Sequence, residues 1–110
     1  MSLLVLFLLQ TVAPDARLVS YDEAVRCAGL TQAASELEGG ESEEGRRLYD
    51  AALYWSLAAM RAGVAGGKSS AAAEADQTRA RIEAVRQLGL QQPAARTALQ
   101  RCRQRTPDLG

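Results

Sequence analysis

From Arg17 onward no segment of the chain alternates apolar with polar residues over a useful length, and β-branched residues are few and scattered. A half-buried strand needs that period-two pattern, so its absence leaves helices as the way to bury apolar surface. In its place, apolar residues recur at three- and four-residue steps between residues that start and stop helices. The fold class that follows is all-α, a small bundle of about four helices.

The start and stop signals divide the chain. Ser20-Tyr21-Asp22-Glu23 has the form of a capping box, in which the serine hydroxyl accepts from a free amide and Glu23 reaches back to Ser20. Ala24, Cys27, Ala28, Thr31, Ala34 and Leu37 then predict the inward face of a first helix that stops at Gly39-Gly40. Ser42-Glu43-Glu44 opens a second helix with carboxylates in the dipole-favoured first turn, ending near Gly63. Between Leu48 and Met60 it is apolar around most of its circumference, which predicts the central, most buried element. After a Gly-rich turn, Ser70 is the expected cap of a third helix with a stripe of Ala75, Ile82, Val85 and Leu88, ending at Gly89. Pro93 suits the first turn of a last helix, with Ala95, Ala98, Leu99 and Cys102 on one face.

Cys27 and Cys102 therefore both point inward, seventy-five positions apart. Two distant cysteines in a small exported domain form a disulfide as a rule, and this one would join the first helix to the last. In the chain-entropy model, closing a loop of that size removes about 4 kcal/mol of denatured-state freedom. The alternative is a pair of buried thiols. No Cys-x-x-Cys is present to suggest a redox-active pair.

Export is itself read from the N-terminus. Ser2 to Ala13 forms an apolar run too short to span a bilayer but long enough for the h-region of a signal peptide. Thr11-Val12-Ala13 and Ala16 offer competing cleavage positions, both affected by Pro14. Residues 1–16 are thus expected to be a signal-peptide-like segment and 17–110 a single helical domain, with an uncleaved anchor or core helix as the alternative. Arginine and alanine bias, with Lys68 the only lysine, points to a high-GC bacterial coding sequence. The expected location is the bacterial periplasm.

Composition closes several functional classes. With no His and no Asn, Ser-His-Asp and Cys-His-Asn triads, His-ligated metals and imidazole acid-base catalysis are absent by inventory. The 13 basic and 13 acidic side chains balance, so no global field attracts nucleic acid or an anionic membrane. Met1 to Asp50 holds nine acids and four bases, and the remainder four acids and nine bases, a split that predicts ion pairs between the halves within the chain, with pairing across a head-to-tail dimer as the alternative.

Four patterns invite sharper readings. Ala62 to Ser69 fits a relaxed P-loop pattern ending in Gly-Lys-Ser, but a working P-loop needs a strand before it and a second strand with an acid. An interhelical turn is expected instead. Glu36, Glu38, Glu41, Glu43 and Glu44 surround Gly39-Gly40 without the ligand spacing of a calcium loop, so a solvated acidic turn is expected there. Arg96, Arg101, Arg103 and Arg105 sit where cations complement a helix C-terminus, with no aromatic neighbour to stack on bases. Tyr49, Tyr54 and Trp55 cannot all face one way on a helix, which makes them the candidate partner contacts if one of them reaches the surface, core packing being the plainer reading.

The functional expectation is an exported, non-enzymatic helical domain that binds another protein, an envelope component, or supports an envelope assembly, with no cofactor, no metal, no nucleic acid and no transmembrane span once the signal is removed. A small apolar-ligand carrier is the alternative, because an alanine-rich bundle can leave a cavity between helices. A carboxylate-only enzyme is the third reading.

Overall fold

The structure is a computed structural model describing residues 19–108. The signal-like segment 1–16 lies outside the described residues. Four helices follow one another, α1 Tyr21–Glu38, α2 Glu43–Ala65, α3 Ser70–Gly89 and α4 Pro93–Arg105, with no strand among the described residues.

The caps are where serine chemistry puts them. Ser20, Ser42 and Ser69 each accept a hydrogen bond from the backbone N–H three residues on. The third helix is thus capped by Ser69 and not by Ser70. The expected return contact from Glu23 to the Ser20 N–H does not form: Glu23 directs its carboxylate to Arg105 instead and ties the first turn of α1 to the end of α4. Pro93 stands at the first turn of α4. Between α1 and α2 the chain reverses at Gly39, whose φ of 90° lies in the left-handed region and whose N–H caps Ser35. Gly45 lies so close to the carbonyl of Gly39 that no side chain would fit there.

The centre of the bundle is α1. It packs against all three other helices, and its buried residues run almost all round: Ala24, Cys27, Ala28, Leu30, Ala33 and Ala34, with Gly29 and Thr31. This corrects the expectation that α2 is the most buried element. The sequence of α2 is apolar on every side, but only the side bearing Leu48, Ala51, Ala52, Trp55 and Ala59 is buried. Conversely, the small residues of α1 allow neighbours to close in from several directions. At Gly29 an added Cβ would lie 2.6 Å from the Ala80 carbonyl carbon, and at Gly63 it would lie 2.9 Å from the Tyr21 ring. Helix axes approach according to the size of the residues at the crossing, so glycine and alanine here set close contacts.

The same preference reorders α3. Ala75 and Ile82, expected to face inward, are exposed, and Leu37 near the end of α1 is exposed as well. The buried positions of α3 are Ala73, Gln77 and Ala84, with Val85 and Leu88 packed partly against the core. Among the described residues, ten of the fifteen buried apolar side chains are alanines, with Trp55 as the large residue that fills the middle. The two buried polar residues find partners, the Thr31 hydroxyl donating to the Cys27 carbonyl at 2.7 Å and the Ser56 hydroxyl to Gln77 Oε1 at 2.7 Å, whereas the buried Gln87 Oε1 has none.

Cys27 and Cys102 are joined by a disulfide, their Cα atoms 5.5 Å apart. Both half-cystines are buried, and the bridge links α1 to α4. The inward stripe of α4 is as the sequence predicts, with Ala95 and Cys102 buried and Ala98 and Leu99 packed against the core.

Candidate functional site

The outer side of α2 is the feature that packing leaves unexplained. Tyr49, Leu53, Leu57 and Val64 are 56%, 54%, 51% and 57% exposed, at steps of three to four residues or their sum, so they lie on one face. Met60, partly buried, lies on the same stripe. The inner residues Leu48, Ala51, Ala52, Trp55 and Ala59 occupy the opposite side. A single exposed leucine on a helix needs no explanation, whereas a continuous apolar stripe marks a contact surface. The helix is about 34 Å long at 1.5 Å per residue, and the stripe runs over most of it.

Charges border the stripe on one flank. Asp50 and Arg61 lie there, at the two ends of the Leu53–Leu57 pair, and neither makes an ion pair with another described residue. Arg46 extends the stripe towards the start of the helix and donates to the Glu41 carbonyl at 3.1 Å.

The three aromatic candidates are therefore placed differently from one another. Trp55 is 1% exposed and belongs to the core, its Nε1 donating to Thr106 Oγ1. Tyr54 is half-buried, its ring in an edge-to-face contact with Trp55 at 5.1 Å between centroids. Tyr49 alone of the three is on the exposed face. Of the residues that accompany it, Leu53 and Leu57 lie in the stretch whose all-round apolar pattern reads as central, and Val64 joins the stripe because the helix continues past Gly63 to Ala65. The signal in the sequence is excess: α2 carries two opposed apolar stripes, and only one of them is buried in the bundle.

The other sequence patterns resolve into structural contacts. Ala62 to Ser69 is the last turn of α2, a short turn at Gly66-Gly67 and the cap of α3. Lys68 lies over the Tyr21 ring, 5.1 Å from its centroid, with Nζ 3.7 Å from the Asp76 carboxylate. Tyr21 donates its hydroxyl to Asp76 at 2.7 Å, and Arg79 pairs with the same carboxylate. Partial burial and then that hydrogen bond push the Tyr21 hydroxyl up to about 12, while the bond from Tyr21, with Arg79 and Lys68 beside it, holds the Asp76 carboxyl below the usual range.

Around the acidic turn, Arg81 reaches Glu36 at 3.2 Å, Arg47 reaches Glu43 at 3.1 Å and Arg103 pairs with Glu44. The hydrogen bond from Arg103 keeps the Glu44 carboxyl below its ordinary value. Among the described residues no cluster of three or more acidic or cysteine side chains is arranged to hold a metal ion. Pairs between Glu36 and Arg81, Glu44 and Arg103, and Glu23 and Arg105 join the acidic half of the chain to the basic half. Arg96 and Arg101 remain exposed on α4.

A groove runs between α1 and α4 above the disulfide, floored by Cys27, Leu30, Ala98 and Cys102 and bordered by Arg26 and Arg101. A second concavity lies against the first turns of α2 and the segment after α4, where Arg46, Arg47 and Arg103 alternate with Glu43 and Asp50. No helix among the described residues is long and apolar enough to cross a membrane. No family model, curated protein or solved structure matches the chain.

Proposed function

We propose that this protein is an exported, non-enzymatic helical domain of the bacterial periplasm that binds a protein partner through the outer face of α2. The observation that carries this reading is the stripe of Tyr49, Leu53, Leu57 and Val64, exposed along a helix whose other face already fills the core. Export is supported by the apolar N-terminal run in the sequence and by the Cys27–Cys102 disulfide, which persists in oxidising compartments. The absence of His and Asn and the pairing of Glu36, Glu43 and Glu44 with arginines support a binding role over catalysis.

A photo-crosslinking residue placed at Leu53 or Leu57 in the native host tests the face. Adducts with a protein at these positions, and none from the exposed Gln100 on α4, are expected. Equal yields from both sites would overturn the reading. Mass spectrometry of the protein recovered from its host tests export: the expected mature chain starts after Ala13 or Ala16, and a chain still starting at Met1 would overturn it.

A further inference from the structure

We infer that the occupant of the α2 face is the α2 face of a second copy, laid antiparallel across a two-fold axis; this rests on the reading of that face as a partner surface. The pattern of residues along the stripe is self-complementary in that orientation. With the axis placed midway between Leu53 and Leu57, Leu53 of one copy meets Leu57 of the other, and Tyr49 meets Met60 to within one position. The same register brings Asp50 of each copy beside Arg61 of the other.

The flank matters as much as the register. In an antiparallel pair related by a two-fold perpendicular to the helices, a residue on one flank of the seam faces residues on the same flank of the other helix. At 100° per residue Asp50 and Arg61 fall on the same side of the Leu53–Leu57 line. Two opposite-charge pairs therefore form at once, by symmetry, from the two charges beside the stripe that have no ion-pair partner among the described residues. A parallel pair places the same flank on opposite sides and forms neither pair. Isologous contacts of this kind require one patch to complement itself, and the α2 stripe does so around its centre, Leu53 against Leu57 and Asp50 beside Arg61, while at each end Val64 of one copy lies over Arg46 of the other. One helical face is a small interface, so dissociation in the micromolar range is expected.

Sedimentation equilibrium of the disulfide-bonded chain over a wide concentration range is the test. The expected result is a reversible monomer–dimer equilibrium. Leu53→Glu, at an exposed position, should leave the circular dichroism spectrum unchanged and raise the dissociation constant at least about thirtyfold, since it places two carboxylates in the seam. Asp50→Arg and Arg61→Asp should each weaken the dimer about tenfold by turning two attractive pairs into repulsive ones, and the double exchange should restore it.

A chain that stays monomeric at all concentrations would overturn the self-pairing. If crosslinks from Leu53 to a different protein persisted in that case, the reading of the face as a partner surface would stand. A dimer that tolerates Leu53→Glu, or that the double charge exchange fails to restore, would overturn the antiparallel α2 register.

Discussion

Trp55 Nε1 donates a 2.8 Å hydrogen bond to Thr106 Oγ1, and the same threonine hydroxyl donates to the Cys102 carbonyl at 2.7 Å. The indole at the centre of α2 is thereby fastened to the end of α4, one helical turn beyond the disulfide. Thr106→Val removes the acceptor while keeping the shape, leaving the indole N–H unpaired. The expected cost is about 1–2 kcal/mol in urea denaturation followed by tryptophan fluorescence. The folded variant should still shield Trp55 from acrylamide, and quenching as fast as in the unfolded chain would contradict the core placement.

The disulfide should act mainly on the unfolded chain. Cys27→Ser or Cys102→Ser is expected to cost about 2–4 kcal/mol while helix content stays largely intact, and the double variant should lose little more than either single one. Thermal or chemical denaturation of the three variants beside the parent reads this directly. A double variant that loses twice as much as each single would show that the half-cystines act as separate packing groups.

At Gly29 the backbone of Ala80 occupies the space a side chain would need. Gly29→Ala gains helix propensity but forces α1 and α3 apart, so a net loss of at least about 1 kcal/mol is expected. Gly40, with open space around it, is the control: Gly40→Ala should stay within about 0.5 kcal/mol of the parent. Equal effects at the two sites would argue against a close α1–α3 crossing.

Tyr21 gives the stability an alkaline limit. Its hydroxyl is raised from 10.0 to about 12 in the folded chain, so the fold favours the neutral form. The contribution is complete below pH 10 and is lost as pH rises from 10 towards 12. Asp76 works in the opposite sense: its carboxyl is depressed in the fold, so its contribution is present above its unfolded value of 3.8 and is lost as pH falls through the lower folded value. Stability measured against pH should decline at both ends. Tyr21→Phe should flatten the alkaline decline and, by removing the bond to Asp76, shrink the acid one. An unchanged alkaline limb would rule out Tyr21 as its source.

Much of the architecture was legible in the sequence because it depends on neighbours along the chain. Serines at Ser20 and Ser42, the Gly39-Gly40 break and Pro93 at the start of α4 act within a turn or two, and each behaves as its local chemistry dictates. Cys27 and Cys102 could be paired because each sat on an apolar stripe of its own helix. The site was only half legible. Tyr49 was among the candidates, but Trp55 beside it is core, Leu53 and Leu57 belonged to a helix read as central, and Val64 lay in the turn expected after Gly63 but is helical and exposed.

The sequence by itself determined that the chain makes helices, where they start and stop to within one or two residues, and which face of α4 carries its cysteine, since capping, periodicity and turn chemistry are local. Only the tertiary structure decided which helix lies at the centre and which apolar stripe stays bare. That choice is settled by distances between helices: the glycine and alanine surface of α1 lets its neighbours close around it, as Gly29 against Ala80 shows. Once α1 holds the middle, α2 buries the stripe bearing Trp55 and is left with the one bearing Leu53 and Leu57, an outcome that no pattern within α2 alone contains.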